Sequence, residues 1–197
     1  MKTNLILLTF LSAVINCFAS KTPNIILILA DDMGPGEPSH MGGLVPTPAL
    51  DRIAKEGMRF TDAHTTSSVC TPTRYGILTG RYNWRSRLKR GVLVKASSQA
   101  LMDPNRVNLP NFLQQNGYHT GIVGKWHLGA DWELLEKPLT GPDRKDDSWR
   151  VDYSKPFHNG PVDVGFDEAF FILSSLDMAP YLYPVSYTHL TLPTNAC

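Results

Sequence analysis

The chain has 197 residues, with 19 Lys and Arg against 18 Asp and Glu, 15 Gly, 15 Pro and three Cys. At 42% hydrophobic and 19% charged residues it reads as globular rather than disordered or collagen-like. Its net charge of +1 argues against a dedicated nucleic-acid binder, and three cysteines over this length exclude a disulfide framework.

The first 19 residues have the layout of a secretory signal peptide: Lys2, an apolar run from Leu5 to Val14, and the small-residue site Cys17-Phe18-Ala19. Cleavage after Ala19 predicts export to a periplasm or the extracellular space. A buried N-terminal helix is the alternative. The run is too short for the roughly 20 residues of a membrane span, so no transmembrane anchor is expected. Removing the leader takes Lys2 with it and leaves 18 basic and 18 acidic residues. Residues 185–197 carry no charge and are rich in Thr, Leu and Pro. They read as a non-native tail resembling translated adapter sequence, or else as a flexible terminus. Residues 20–184 then form the body of the protein, and Cys70 is its one cysteine.

Within that body, Asn24–Ala30 is a continuous apolar run whose shortness and β-branching predict a strand buried on both faces. It stops at Asp31-Asp32, followed by the loop residues Met33-Gly34-Pro35-Gly36. Thr47-Pro48 predicts a helix start and Gly57 its stop, and Met58–Ala63 reads as a second strand. Asn108–Gly117 repeats the helix signals. Tyr118–Lys125 and Val164–Leu173 are the third and fourth strand candidates. This alternation suits right-handed crossovers and predicts an α/β fold with a mainly parallel sheet sandwiched by helices.

Two stretches break the rhythm. Arg81, Arg85, Arg87, Lys89, Arg90 and Lys95 fall with no acid between Arg81 and Met102, and seven acids face four bases between Asp131 and Asp152. Both read mainly as solvated loops, although the basic one could attract an anionic substrate.

Three places carry chemistry. In α/β sheets ligands gather at the carboxyl ends of strands, where Asp31 and Asp32 stand. Adjacent carboxylates repel. They suit either a solvated turn or cap, or a hard cation such as Ca²⁺ or Mg²⁺. Cys70-Thr71-Pro72-Thr73-Arg74 runs into a segment of helical spacing, which puts Cys70 near a helix N-terminus that favours anions. Packing as a small hydrophobe is the other role open to Cys70. Lys125 and His127 lie two apart at the end of the third strand candidate, so in extended chain they share a face. That pairing suits an anion site with proton transfer, or a surface lysine beside a packed histidine.

Together these segments resemble the sulfatases, the formylglycine-dependent members of the alkaline phosphatase superfamily. The residues that carry the resemblance are N-I-I-L-I-L-A-D-D at 24–32, P-T-P-A-L-D-R-I-A-K-E-G-M-R-F-T-D-A-H at 46–64, C-T-P-T-R-Y-G-I-L-T-G-R at 70–81, G-Y-H-T-G-I-V-G-K-W-H-L-G at 117–129 and G-F-D-E at 165–168. They span about residues 22–184 in the family's order.

The resemblance implies an exported sulfuric ester hydrolase with a sulfatase-like α/β fold. Cys70 would be oxidised by a formylglycine-generating or equivalent maturing enzyme. One oxygen of the hydrated aldehyde attacks sulfur and releases the alcohol, and the second expels sulfate. Asp31 and Asp32 match ligands of the family's Ca²⁺ (in preference to Mg²⁺), which also binds the modified Cys70. Arg74 matches the residue stabilising the ionised diol, Lys125 the sulfate-binding lysine, and His127 the histidine that deprotonates the diol. The remaining metal ligands and the leaving-group acid come from later segments in family members, so the 197 residues alone are expected to be inactive. The expected substrates are sulfate esters, with sulfated glycans as the class. A phosphoester or phosphonate hydrolase and a non-catalytic truncated product are the alternatives.

Overall fold

The computed structural model describes residues 22–136 and 146–185 and the backbone of 188–191. The predicted leader, residues 1–19, lies outside the described residues. The chain divides into two compact units, residues 1–58 and 59–197.

In the first unit, helix α1 spans Pro48–Glu56, where Pro at the first turn fits the fixed φ of proline and its missing N–H. Thr47 precedes it as expected. Its hydroxyl, however, donates to the Asp51 carboxylate at 3.1 Å rather than capping a backbone amide. Asp51 also accepts from Ser39 Oγ at 2.6 Å and from the His40 amide at 3.0 Å. These bonds, the Ser39 one foremost, hold its pKa below the usual carboxylate value. The predicted strand at Asn24–Ala30 does not form: the run pairs with no strand among the described residues, and Ile26 is 85% exposed. Ile and Leu content states a demand for burial, but a strand also needs a neighbour's free edge.

The second unit holds helix α2 (Cys70–Thr79), helix α3 (Leu109–Gln115) and strands β1 (Gly121–Lys125), β2 (Glu168–Ile172), β3 (Tyr183–Val185) and β4 (Thr188–Thr191). The predicted strand at Met58–Ala63 is absent, and Phe60 there is exposed. Sheet order is β1-β2-β3-β4. β1 and β2 are parallel, with Val123 opposite Phe170, whereas β2–β3 and β3–β4 are antiparallel. The α/β class holds, and the described sheet is mixed: the crossover pair is extended by a short antiparallel ribbon that reaches into the stretch expected to be a tail.

Asn108 caps α3 by accepting the Asn111 amide at 3.0 Å, as its side chain is suited to do. The G-F-D-E segment has a structural task. Asp167 accepts the Thr120 amide at 2.6 Å and Gln114 Nε2 at 2.7 Å, which clips the end of α3 and the start of β1 to β2. One sheet face packs on a core containing Trp126, Phe171, Phe157 and Leu128. The Trp126 and Phe171 rings meet edge-on at 6.4 Å, and Phe157 and Phe171 at 6.0 Å. Burying each such ring stabilises by roughly 1.5–3 kcal/mol.

The charged stretches are only partly solvated loop. Asp147 is 5% exposed, and both the amide and the hydroxyl of Ser97 donate to it. Asp131 accepts the Ala100 amide at 2.9 Å and Asn159 Nδ2 at 2.7 Å. Acids that count as surface in a composition window here terminate loops, because a carboxylate can satisfy several otherwise unmet donors.

Candidate active site

Cys70 is the first residue of α2, with Val69 before it in extended conformation. The helix is held at this end by its Thr residues: Thr73 Oγ1 donates to the Ser67 carbonyl at 2.7 Å, and Thr71 Oγ1 accepts the Leu93 amide at 3.3 Å. Gly76 is required by close approach, since a Cβ there would overlap the Thr66 side chain. Thr66 in turn donates to the Pro72 carbonyl at 3.2 Å. The motif thus fixes where the thiol stands, at the electropositive end of a ten-residue helix.

Lys125 closes β1. Its ammonium donates to Cys70 Sγ at 3.1 Å and to Ser175 Oγ at 2.9 Å. Arg74, one turn along α2 from Cys70, donates through a terminal guanidinium nitrogen to the Lys125 backbone carbonyl at 2.5 Å. Helix and strand end are therefore tied at two levels, side chain to thiol and guanidinium to backbone. Parallel pairing with β2 continues past Lys125, because the Trp126 and His127 amides donate to Ile172 and Leu173 carbonyls, each at 2.9 Å.

His127 differs from the sequence expectation in detail. Its φ is +54°, so the two-residue alternation that would set it beside Lys125 is broken at the residue itself. It is 1% exposed. Its Nε2 donates to the Leu93 carbonyl at 2.7 Å, which assigns the proton to Nε2 and leaves Nδ1 as a buried lone pair without a hydrogen-bond partner. Burial lowers its pKa, with the charges of Lys125 and Arg74 adding to the effect; the Leu93 bond and Asp177 oppose it. Burial thus favours the neutral imidazole, whose acceptor nitrogen Nδ1 is enclosed within the field of two cations. Gly129 (φ +73°) makes the following turn possible, since a side chain there would run into the Ser98 and Gln99 carbonyls.

The structure thus brings together Cys70, Arg74, Lys125 and His127. It adds Ser175 and Asp177, which sequence reasoning missed. Ser175 hydrogen-bonds Asp177, and this bond is the leading cause that lowers the Asp177 pKa. The signal was present: both residues follow the carboxyl end of β2, beside the carboxyl end of β1, where α/β sheets place ligands. Asp31 and Asp32 belong to the first unit. Both are exposed, and Asp32 has φ +63°. Their carboxylates are hard oxygen donors that fit Ca²⁺ or Mg²⁺. Among the described residues no group of three or more His, Cys, Asp and Glu is gathered as a metal site.

The family model for sulfatases matches residues 23–172. The chain belongs to the sulfatase family. It is 36% identical over 165 residues to the N-acetylgalactosamine-6-O-sulfatase of Bacteroides thetaiotaomicron, covering 83% of this chain and 29% of that protein. It is 46% identical over 113 residues to bovine arylsulfatase A, covering 57% of this chain and 22% of that one. Among solved structures, one described under the metabolism of multiple glycosaminoglycans by Bacteroides thetaiotaomicron superposes with a TM-score of 0.72 at 35% identity, covering 87% of this chain and 32% of that chain. This sulfatase chain therefore spans under a third of the length of these relatives. The Cys70, Lys125 and His127 cluster falls inside the matched residues. Among the described residues, no helix is long and apolar enough to cross a membrane.

Proposed function

We propose that these residues are the N-terminal part of an exported sulfatase that hydrolyses sulfate esters, with sulfated glycans as the substrate class. The observation that carries the reading is the Lys125 bridge from Cys70 Sγ to Ser175 Oγ at the N-terminus of α2. A residue that must become an electrophilic aldehyde and then an oxygen nucleophile belongs where a cation and a helix N-terminus favour developing negative charge. Once oxidised, Cys70 supplies a geminal diol, one oxygen of which is the nucleophile toward sulfur. In this reading Cys70 Sγ stands in for those oxygens.

Lys125 then binds a sulfate oxygen and steadies charge on the diol. His127, neutral with Nδ1 unprotonated, accepts a proton. Arg74 holds the helix against the strand end through the Lys125 carbonyl. Asp31 and Asp32 are proposed ligands of Ca²⁺, and a calcium ion, when bound, would supply neutralisation of sulfate charge. Two carboxylates fall short of the six to eight oxygens calcium takes, so the 197 residues alone are proposed to be inactive. The exposed Arg85, Lys89 and Arg90 of the 81–95 loop would attract a polyanionic glycan. The kinship of the chain to an N-acetylgalactosamine-6-O-sulfatase supports that class.

Mass spectrometry of the Cys70 peptide, after expression with a formylglycine-generating enzyme, tests the reading. Replacement of the thiol mass by that of the aldehyde supports it, and persistent cysteine overturns it. Comparing sulfate and phosphate ester turnover by the whole protein separates a sulfatase from a phosphoester or phosphonate hydrolase.

A further inference from the structure

The C-terminal end of α2 leads into a surface that the thiol cluster does not use. Gly80 turns the chain in left-handed conformation, and a single 3-10 turn, Asn83–Arg85, follows. Asn83 is buried and pins this turn from inside: its Nδ2 donates to the Leu88 carbonyl at 2.8 Å, and its own carbonyl accepts from Ser86 Oγ at 2.6 Å. The residues on either side of it stay outside. Tyr82 is 51% and Trp84 52% exposed, and their rings stack with centroids 5.7 Å apart and 14° between planes. The Arg85 guanidinium lies 5.5 Å from the centre of the Trp84 ring, within reach of a cation–π contact.

Single exposed aromatics are ordinary. Here two rings stack on each other with a cation laid over one, on a turn that Asn83 fixes. The group is set before any ligand arrives, which lowers the entropy lost on binding. The local charge is one-sided, with no Asp or Glu between Arg81 and Met102. Arg87 is used by the fold, donating to the Gln99 and Ala100 carbonyls. Lys89 donates to the Trp84 carbonyl at 2.9 Å, which holds its ammonium beside the stack with two further N–H donors. A fitting occupant offers both an apolar face and negative charge. The C–H face of a pyranose ring and the sulfate or carboxylate groups of a sulfated glycan offer both. Stacked bases and phosphates would as well, but the near-neutral chain lacks the basic surplus of a nucleic-acid binder.

The same loop connects this platform to the thiol cluster. Thr79 is nine residues from Cys70, about 14 Å along the helix, so the stack follows the far end of α2. The loop then returns: the Leu93 amide donates to Thr71 Oγ1 at 3.3 Å, and the Leu93 carbonyl accepts from His127 Nε2 at 2.7 Å. Arg85, Lys89 and Arg90, all exposed, lie on the stretch between. A polyanionic chain resting on the stack can extend along these cations toward Cys70.

We propose that Tyr82, Trp84 and Arg85 form an auxiliary subsite for a sulfated glycan chain, with a sugar ring on the aromatic stack and sulfate or carboxylate oxygens on the Arg85 and Lys89 donors. The polymer is then gripped several sugars away from the ester that is cleaved. The class of ligand rests on the proposed function, whereas the platform does not depend on the chemistry of Cys70.

The test is fluorescence anisotropy of end-labelled hexasaccharides of chondroitin 6-sulfate and of heparin. They are titrated at constant ionic strength with the whole protein carrying Cys70→Ala, which cannot consume the probe. Saturable binding of at least one is expected. Tyr82→Ala in that background removes an exposed ring and should weaken binding at least about tenfold, with the thermal midpoint near that of the parent. Should that variant fold poorly, Arg85→Gln removes only an exposed charge and should also weaken binding. Absence of saturable binding to both hexasaccharides overturns the proposal, as does unchanged affinity in the variants or equal affinity for an oligothymidylate of the same charge. The two readings fail separately. A persistent Cys70 thiol with intact hexasaccharide binding removes the sulfatase chemistry and leaves the subsite, whereas aldehyde formation without hexasaccharide binding removes the subsite alone.

Discussion

Lys125 Nζ sits 3.1 Å from Cys70 Sγ although the two residues are 55 positions apart. The contact joins the first residue of α2 to the last of β1 and is braced by Arg74 on the Lys125 carbonyl. A cation held this way keeps its geometry while charge develops, which is what electrostatic catalysis requires. In the whole enzyme, Lys125→Ala is expected to lower kcat for a sulfate ester by about 10²–10³-fold. Steady-state kinetics on a chromogenic sulfate ester checks this. Lys125→Arg should recover little, because a planar guanidinium cannot replace a point charge between a thiol-sized atom and a hydroxyl.

Ser175 acts through Lys125. Its Oγ accepts from Nζ at 2.9 Å, and its hydroxyl donates to the Asp177 carboxylate. Ser175→Ala should cost about tenfold in kcat, comparable to one hydrogen bond to a charged group. Its effect should largely vanish in a Lys125→Ala background, because the two share one interaction. Full additivity in a double-mutant cycle would place Ser175 outside the Lys125 network.

The His127 pKa is lowered from the ordinary 6.5 chiefly by burial. Between that depressed value and 6.5, the unfolded chain takes up a proton that the folded chain does not. Stability therefore falls as pH drops through this window, with a slope of at most about 1.4 kcal/mol per pH unit from this residue. His127→Gln can keep the donor to Leu93 O and cannot titrate. Urea melts of the parent and variant from pH 7.5 down to 4.5 should converge on acidification. Parallel curves would show that His127 is not buried in neutral form.

The motif residues of the second unit were legible because their spacing encodes local geometry. The helical spacing read after Cys70 becomes α2, the helix signals of Asn108–Gly117 become α3, and the Tyr118–Lys125 strand candidate forms over Gly121–Lys125. Asn24–Ala30 was misread for the opposite reason. Its composition is strand-like, but pairing depends on a partner that local sequence does not contain. His127 shows a subtler limit, because a single left-handed residue resets the alternation that two-residue spacing assumes. Ser175 and Asp177 carry no spacing signal of their own and are recruited by their place at the end of β2.

Calcium dependence gives a separate check on Asp31 and Asp32. Chelation of divalent ions should lower turnover by the whole enzyme, and added Ca²⁺ should restore it. In Asp31→Ala or Asp32→Ala, Ca²⁺ at the concentration that restores the parent should give little recovery, since hard-cation affinity follows the number of anionic oxygens. Restoration equal to that of the parent would remove these two residues from the metal shell.

Gly76 tests the packing that positions the thiol. A Cβ at this position would overlap Thr66, whose own Cβ would lie 2.8 Å away. Thr66 is not a flexible long chain that can swing aside, since its hydroxyl is bonded to the Pro72 carbonyl at 3.2 Å. Gly76→Ala should therefore destabilise the chain by about 1–3 kcal/mol, despite the better intrinsic helix propensity of alanine. Thr66→Ala removes the methyl and hydroxyl that would clash and loses one hydrogen bond. The double variant should be more stable than the sum of the two single losses predicts, and thermal or urea melts of the four species measure that coupling. If Gly76→Ala stabilised instead, by the few tenths of a kcal/mol to about 1 kcal/mol typical of a strain-free Gly to Ala change, then α2 would not press on Thr66. The placement of Cys70 against Lys125 would then need another anchor.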